Sequence, residues 1–303
     1  MARPLKLLVT GREGQVARAL GERGNESVRV AFLARPELDL ADVKGVADVA
    51  RRAIGRERPD VLVSAAAFTA VDAAEDDEAT ARAVNAEAPG ELARAAHEAG
   101  VPIIHLSTDY VFDGTLDRPY REDDPTGPQG VYGETKLEGE RLVTSATLAH
   151  VVLRTAWLYS MFGRNFVTTM LRLADTRDEV SVVADQHGSP TSAHDLAGVI
   201  IEIGHRIVDV DPESAPERFG TFHAAGAGAA TWAELARHAI ETHAGDRKVQ
   251  VRDITSAQYP TRAHRPGNSR LDCTKLSRCH GIELRPWQEA LNALSFERRA
   301  VRA

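Results

Sequence analysis

The sequence predicts an α/β protein: a doubly wound parallel sheet, followed by a smaller α/β segment. Two observations predict this fold class. Short apolar runs alternate with helical patterns from residue 1 to about 160, as in sheets whose parallel strands are joined by helices. Glycine, small or polar residues follow each apolar run, and in such sheets ligands bind at the carboxyl ends of the strands.

The composition narrows the classes of protein that fit. The chain has 303 residues, 43% hydrophobic and 27% charged, with a formal net charge of −7. The acidic balance argues against general nucleic-acid binding, which requires a basic surface. Cys273 and Cys279 are expected to be reduced thiols, because two cysteines make no disulfide framework. We expect a cytoplasmic protein, since the N-terminal apolar run is too short for a signal peptide or a membrane span.

The first predicted strand, Leu5–Val9, leads into a glycine turn and a helix. Gly11 and Gly14 allow a tight turn and a close approach of the backbone to a pyrophosphate, and the helix start at Gln15 and Val16 offers amides to it. This order predicts a Rossmann-type dinucleotide site. The spacing GxxGxxA departs from GxGxxG, so an ordinary strand–helix turn is the alternative.

The second strand, Val28–Leu33, is followed by Arg35 and not by the acid that often binds the adenosine ribose. An arginine here would pair with a 2′-phosphate, which favours NADPH over NADH, although NADH stays possible. A solvated surface arginine is the alternative reading. Asp39 and Leu40 begin the next segment and belong to the predicted cofactor site, and a helical pattern follows at Val43–Ile54.

The third strand, at 59–63, leads into a turn of small residues that would let the backbone approach a flat ligand closely. A small-residue packing turn is the alternative. A helix is expected from about Thr80 to Ala99, with Asn85 inside it, and a fourth strand at Ile103–Leu106. The turn residues assigned to the cofactor site are Ala65, Ala66, Ala67 and Thr69.

The fourth strand delivers Thr108 to the same edge, and a long loop then leads to a helix beginning near Tyr132. Tyr132 and Lys136 are four residues apart, so they share one helix face. A phenol can supply a proton to a reduced ketone, and a nearby ammonium lowers the pKa of that phenol. We therefore predict a reductase site, while a surface pair of side chains is the alternative for Tyr132 and Lys136 alone.

A fifth strand, Val151–Thr155, ends near Trp157, and the pattern then becomes irregular. The loop 259–272 is rich in arginine, and on a Pro/Gly-constrained loop such residues would clamp a diphosphate, unless the loop is merely solvated. Helices and strands alternate less regularly here, and they are expected at Asn165–Ala174, Val180–Val183, Ala193–Ile207, Thr221–Ala224, Trp232–His243 and Val249–Ile254.

Together these segments resemble the extended short-chain dehydrogenase/reductases, and within them the reductases of 4-keto nucleotide sugars. The motifs run nearly end to end, and their order is specific: TGREGQV, SAAAFTAVDAAE, STDYVFDG, VYGETKLEGE, LRTAWLY, VVADQHGSPTSAHDLA and YPTRAHRPGNSRLD. The resemblance implies that the chain reduces the 4-keto group of dTDP-6-deoxy-L-lyxo-4-hexulose with NADPH, forming dTDP-L-rhamnose.

The resemblance also implies roles for particular residues. Tyr132 would be the catalytic acid, Lys136 its partner and Thr108 the hydroxyl of the triad. Residues 1–160, with part of 180–225 returning to them, would form the dinucleotide-binding domain, and residues 161–303 the interleaved nucleotide-sugar domain. The residues implied for the sugar nucleotide are Thr108, Asp109, Tyr110, Trp157, Asn165, Arg262, Arg265, Asn268 and Ser269.

The sequence departs from some family members, which are metal-bridged dimers. Ala19 and His194 stand where those members carry glutamates, so a Mg²⁺ bridge is doubtful and a monomer or a different homodimer is expected. Two other functions compete with the reductase: a cofactor-binding regulatory subunit without catalysis, and a sister nucleotide-sugar reductase or epimerase. A dehydratase is disfavoured because Asp109 is followed by Tyr110 and not by a glutamate.

Overall fold

The structure, a computed structural model, describes residues 3–245 and 247–295. Its first part alternates strands and helices, as the sequence predicts. In chain order the elements are β1 (Leu5–Thr10), α1 (Gln15–Glu22), β2 (Val28–Leu33), α2 (Val43–Glu57), β3 (Val61–Ser64), α3 (Val71–Ala74), α4 (Glu78–Arg82), a π-helical turn (Ala83–Glu87), α5 (Ala88–Glu98), β4 (Ile103–Thr108), α6 (Val131–Ala146) and β5 (His150–Thr155).

The second part carries shorter strands between its helices. The predicted C-terminal domain includes residues 246 and 296–303, which lie outside the described residues. Its described elements are β6 (Leu158–Tyr159), α7 (Phe166–Ala174), β7 (Glu179–Val183), β8 (His187–Gly188), β9 (Thr191–Ser192), α8 (Ala193–Ile207), β10 (Gly220–His223), β11 (Ala230–Thr231), α9 (Trp232–His243), β12 (Gln250–Ile254), β13 (Asn268–Ser269), α10 (Thr274–His280) and α11 (Trp287–Asn292).

Six strands form one parallel sheet in the order β10-β5-β4-β3-β1-β2. The register places Leu8 of β1 beside Ala31 of β2 and Leu62 of β3. A parallel sheet covered on both faces requires strands that are apolar along their whole length, which is why these strands read as continuous apolar runs. The predicted α/β fold with a parallel sheet is confirmed.

Each face of the sheet is covered by its own set of helices. Successive strand residues point to opposite faces, so Leu7 packs with α1 and α8, whereas Leu8 packs with α2 and α5. Leu20 and Ile200 cover the first face, and Leu92 covers the second. The two layers leave the carboxyl edge of the sheet open between them.

The C-terminal part forms three small sheets and supplies one strand to the large one. The small sheets are β12-β7, β11-β8-β13 and β6-β9. β10 follows α8 in the chain but pairs in parallel with β5, where Phe222 lies beside Leu153. The chain therefore returns to the main sheet after it has left it.

The helix expected from Thr80 to Ala99 is divided, and this is a difference from the sequence-based expectation. α4 ends at Arg82, a π-helical turn holds Asn85, and α5 then continues. α6 passes so close to this turn that a Cβ on Gly139 would overlap the carbonyl oxygen of Asn85. π-Turns are often found at functional sites, and this one directs Asn85 towards the end of β3.

Candidate active site

The carboxyl ends of the sheet strands open into a cleft of about 920 Å³. This volume lies within the range of small-molecule and cofactor sites. The sequence-predicted residues that line the cleft are Gly11, Gly14, Gln15, Val16, Arg35, Asp39, Leu40, Ala65, Ala66, Ala67, Thr69, Thr108, Asp109, Tyr110, Tyr132, Lys136, Trp157 and Asn165. The structure thus brings together both the predicted cofactor residues and the predicted catalytic residues.

The glycine turn after β1 requires a glycine at Gly11, whereas at Gly14 a Cβ would meet nothing within 4 Å. Gly11 has a φ of +81°, and a Cβ there would come within 3.1 Å of the Cβ of Ala66. Gly14 is the N-cap of α1 and gives no side-chain cap, so the first turn of α1 is open to the cleft. Uncapped amides and the positive end of a helix dipole favour an anion. The turn therefore fits a pyrophosphate.

Gln15 connects the glycine turn to the C-terminal part of the chain. Its Oε1 accepts hydrogen bonds from Ser160 Oγ at 2.7 Å and from Asn165 Nδ2 at 3.1 Å. Asn165 is the N-cap of α7 and not its first residue, because its Oδ1 accepts from the Thr168 amide at 3.0 Å. A predicted cofactor residue and a predicted substrate residue are therefore in direct contact.

Arg35 and Asp39 form an ion pair at the rim of the cleft. Arg35 Nη2 lies 2.8 Å from Asp39 Oδ1, and the two side chains are 72% and 45% exposed. Hydrogen bonds from Arg35 and from the Ala41 amide hold the pKa of Asp39 below its usual value. The rim thus contains an acid as well as a cation, although the acid stands four residues after Arg35.

The small-residue turn after β3 is held by two side chains that the sequence did not assign to it. The amides of Ala65 and Ala66 both donate to Thr10 Oγ1, at 3.0 and 3.1 Å. The Phe68 amide donates to Asn85 Oδ1 at 2.8 Å, and Asn85 Nδ2 donates to Thr135 Oγ1 at 3.2 Å. The π-helical turn therefore shapes this wall of the cleft.

Thr108 lies at the end of β4 with its hydroxyl bonded to a buried acid. Thr108 Oγ1 donates to Asp109 Oδ1 at 2.9 Å and accepts from the Tyr110 amide at 3.2 Å. Burial raises the pKa of Asp109 to about 6, and hydrogen bonds from Thr108 and Ser269 oppose that shift. Asp109 can therefore change its protonation state close to neutral pH.

Tyr132 is buried on α6 beside the same acid. Its pKa lies above the usual value of a phenol, first because of burial and then because of the Asp109 carboxylate, while a hydrogen bond with Thr108 opposes the shift. Its ring meets that of Tyr110 edge-on, with centroids 5.5 Å apart. The sequence-based expectation was a lowered pKa, and the structure gives the opposite direction because burial outweighs any effect of Lys136.

Lys136 is buried one helical turn from Tyr132. Its Nζ donates to the Leu106 carbonyl at 2.5 Å and lies 3.4 Å from His105 Nε2. Burial lowers the pKa of Lys136 to about 8, and the charge of Glu140 opposes that shift. Since this pKa is above 7, the ammonium form predominates at neutral pH.

The four residues predicted on the arginine-rich loop lie behind the cleft wall. Arg265 donates to Asp72 Oδ2 at 2.7 Å and to the Tyr110 hydroxyl at 3.2 Å. Arg262 pairs with Asp76. Asn268 Nδ2 donates to the carbonyls of residues 116 and 118, and Ser269 Oγ accepts from the indole of Trp157. Arg265 and Ser269 thus support Tyr110 and Trp157, and none of the four residues lines the cleft.

Aromatic residues from the C-terminal part of the chain form one wall of the cleft. Trp157, at a φ of +47°, stacks on Trp232 with ring centroids 3.5 Å apart and planes 6° apart. Trp157 also lies against Gly188, where a Cβ would overlap the indole. Phe166 and Trp232 line the cleft but were not predicted. Their signal was an aromatic first residue in each of two helices, which sequence spacing alone does not place at a site.

Within residues 3–245 and 247–295, no group of three or more His, Cys, Asp or Glu side chains could hold a metal ion. Ala19 is buried, and His194 Nε2 lies 2.8 Å from Glu22 Oε2. Cys273 and Cys279 are free thiols. In the same described ranges, the helices are too short or too polar to cross a membrane.

Comparisons with known proteins agree with this geometry. The family described as RmlD substrate binding domain matches residues 5–299. A dTDP-4-dehydrorhamnose reductase of Sinorhizobium fredii is 48% identical over 292 residues, covering 96% of this chain and 96% of the relative.

Two solved structures are similar over nearly the whole chain. One is a dTDP-4-dehydrorhamnose reductase ortholog of Clostridium acetobutylicum, with a TM-score of 0.86 and 36% identity. The other is the Bacillus anthracis dTDP-4-dehydrorhamnose reductase in complex with NADP, with a TM-score of 0.85 and 31% identity. Each alignment covers 95% of this chain and 97% of the other. The chain therefore belongs to the dTDP-4-dehydrorhamnose reductase family.

Proposed function

We propose that this chain reduces the 4-keto group of dTDP-4-dehydro-L-rhamnose with NADPH, forming dTDP-L-rhamnose. The observation that carries the proposal is that Thr108, Tyr132 and Lys136 line the same cleft as the glycine turn of Gly11 and Gly14. The names of the relatives support it, and one of the solved relatives is in complex with NADP.

The cofactor site fits a dinucleotide phosphate. The glycine turn and the open start of α1 would hold the pyrophosphate, Arg35 the 2′-phosphate, and Lys136 the hydroxyls of the nicotinamide ribose. Bound NADPH would supply the hydride, while the groups that orient the ketone and move the proton belong to the chain.

Proton transfer is the task of Tyr132 and its neighbours. As negative charge develops on the ketone oxygen, an acid must deliver a proton to it. The raised pKa keeps the Tyr132 phenol protonated at neutral pH. The Lys136 ammonium would stabilise the phenolate that remains, and the Thr108 hydroxyl would turn from Asp109 to the ketone oxygen and orient it.

The sugar nucleotide would lie between the catalytic residues and the aromatic wall, on Asp109, Tyr110, Trp157 and Asn165. The loop from Arg262 to Ser269 would then act through Tyr110 and Trp157, which it contacts. We also propose the division into a dinucleotide-binding domain, 1–160 with β10, and a nucleotide-sugar domain, 161–303, in a cytoplasmic monomer or homodimer.

Enzymatically generated dTDP-4-dehydro-L-rhamnose tests the activity directly. Addition of the protein should consume NADPH and form dTDP-L-rhamnose in equal amounts. NADPH binding without turnover would instead indicate a regulatory subunit. Turnover of a different nucleotide sugar only would indicate a sister reductase or epimerase.

Tyr132→Phe tests the assigned acid. We expect kcat to fall by about 10²- to 10⁴-fold, the usual contribution of a positioned general acid. NADPH binding, measured by its fluorescence, should change little, because the phenyl ring keeps the packing against Tyr110. Wild-type turnover in this variant would remove Tyr132 as the acid.

A further inference from the structure

A buried ion pair lies directly behind the catalytic residues. Glu140 accepts two hydrogen bonds from Arg154, from Nε at 2.9 Å and from Nη2 at 2.7 Å. The side chains are only 5% and 6% exposed. Ser107 Oγ donates to the same Glu140 carboxylate. Neither Glu140 nor Arg154 lines the cleft, so the pair acts on the reaction only through its neighbours.

The pair joins the elements that carry the catalytic residues. Glu140 lies on α6, four residues after Lys136 and eight after Tyr132, so all three share one helix face. Arg154 lies on β5, and Ser107 precedes Thr108 at the end of β4. One carboxylate therefore connects α6 to the two strands beneath it.

The charged surroundings of Lys136 are few and come from three elements. Glu140 is on its own helix, His105 faces it from β4, and Arg154 reaches Glu140 from β5. Burial and the Lys136 ammonium hold the pKa of His105 well below its usual value, so this imidazole is neutral. Arg82 and Glu138 pair with each other near α6 but are more than one-third exposed.

On the proposed function, in which Lys136 acts beside Tyr132, we propose that Glu140 is a positioning residue. Together with Arg154 it fixes α6 against β4 and β5, and its charge keeps the Lys136 ammonium protonated at working pH. The burial that lowers the pKa of Lys136 is thereby partly offset. Without this offset, a larger fraction of Lys136 would be neutral and could not stabilise the Tyr132 phenolate.

A purely structural role makes different predictions. Buried ion pairs are weak contributors to stability, yet removal of one partner is destabilising because it leaves an uncompensated charge. A structural pair therefore predicts that Glu140→Gln and Arg154→Met both unfold at lower temperature. It does not predict that the two variants move the pKa of Lys136 in opposite directions.

The pKa of Lys136 can be measured without any turnover. Acetic anhydride, applied over a range of pH, labels the neutral amine, and mass spectrometry of the peptide that contains Lys136 gives its titration. In the wild type the midpoint should be near 8. Glu140→Gln leaves Arg154 as an unpaired cation and should lower the midpoint by about one unit, whereas Arg154→Met leaves the carboxylate and should raise it by about one unit.

The proposal requires that the pKa of Lys136 falls in Glu140→Gln and rises in Arg154→Met. Unchanged midpoints, or shifts of the same sign, would overturn the proposal. If one variant does not fold, the sign of the other decides. If neither folds, Ser107→Ala removes only the hydroxyl that donates to Glu140 and should raise the midpoint by less than one unit; an unchanged midpoint there counts against the proposal.

The pH dependence of kcat gives a second test of the proposal. Glu140→Gln should lower kcat more at pH 8 than at pH 6.5, with little change in KM for the sugar nucleotide, because Glu140 lies outside the cleft. If the wild type reduces no nucleotide sugar, the proposed function fails, but the labelling experiment still decides whether Glu140 controls Lys136.

Discussion

In the proposed function, the charge of Arg35 would bind the 2′-phosphate and so favour NADPH. Its guanidinium is exposed at the rim of the cleft and forms an ion pair with Asp39. Arg35→Ala should raise KM for NADPH about tenfold and leave KM for NADH nearly unchanged, because a charge-assisted hydrogen bond contributes about 1.5 kcal/mol or more. Steady-state kinetics with both cofactors measure the difference.

Arg29→Ala is the matched control for that experiment, because Arg29 is an exposed arginine of β2 that does not line the cleft. Both KM values should stay unchanged in it. If KM rises equally for NADPH and NADH in Arg35→Ala, Arg35 does not bind the 2′-phosphate.

Some residues that line the cleft were predictable from sequence because their signal is local. Tyr132 and Lys136 stand one helical turn apart, and Gly11 stands directly after an apolar strand. Asn85 and Trp232 gave no such signal, because their partners lie elsewhere in the chain: Asn85 bonds Phe68 and Thr135, and Trp232 stacks on Trp157. Burial by distant elements also set the direction of the Tyr132 pKa shift, which the sequence-based argument had reversed.

The contact between α6 and the π-helical turn depends on a glycine. Gly139→Ala would drive a Cβ into the carbonyl oxygen of Asn85, and neither backbone can yield without moving Asn85 away from Phe68. We expect the free energy of unfolding to fall by about 1–3 kcal/mol, the usual effect of overpacking. Urea denaturation measures the change.

Gly55→Ala is the control for Gly139→Ala, because it makes the same substitution inside a helix without a close contact. Gly55 is exposed inside α2, and a Cβ there would meet nothing within 4 Å. Alanine should therefore stabilise the protein by about 0.5–1 kcal/mol through helix propensity. Stabilisation by both substitutions would contradict a tight contact at Gly139.

The elements themselves were largely predictable, because the apolar periods of the strands and helices are regular. β2, α8 and α9 have the predicted bounds, and α6 begins one residue before Tyr132. The π-helical turn at Ala83–Glu87 was not predicted, although Pro89 and Gly90, two poor helix formers, stand shortly after it. α6 packs against this turn at Asn85 and Ala86, and a contact with a distant helix is not visible in the local sequence.

The stability of the whole molecule should decrease in mild acid because His105, His223 and His280 are buried and their pKa values are lowered. The pKa of His223 is lowered to about 3 by burial, and that of His105 is also lowered well below its usual value. The unfolded chain binds these protons below about pH 6.5, so the stabilisation is present above that pH and is lost as the pH falls. His223 alone should cost about 2 kcal/mol by pH 5.

Asp109 has the opposite effect on stability between about pH 6 and pH 5. Its pKa is raised to about 6, so the folded state gains stability as the pH falls through 6. The stabilisation gained at Asp109 is smaller than the loss at the buried histidines, so the net free energy of unfolding should be lower at pH 5 than at pH 7. Urea midpoints at the two pH values, compared with those of His223→Gln, test this. The variant should lose less stability between the two pH values, and identical losses would exclude His223 as a source.

The fold class was predictable because the sequence of a doubly wound sheet alternates short apolar strands with amphipathic helical segments. The return of β10 to the sheet was anticipated only as a broad region, 180–225. No local pattern distinguishes β10 from β7, which pairs with β12 in a separate sheet. β10 joins the main sheet because β5 offers an unpaired edge there and because α8 carries the chain across the sheet to that edge.

The late arrival of β10 has a consequence for the synthesis of the chain. When β5 leaves the ribosome, its outer edge has no partner, and the apolar side of the sheet lacks α8 with Leu196 and Ile200. Chains fold from the N-terminus as they emerge, and an open strand edge is a template for pairing with other chains. The nascent protein is therefore most prone to aggregate between the translation of Thr155 and that of His223, and translation pauses in that interval would lengthen the exposure.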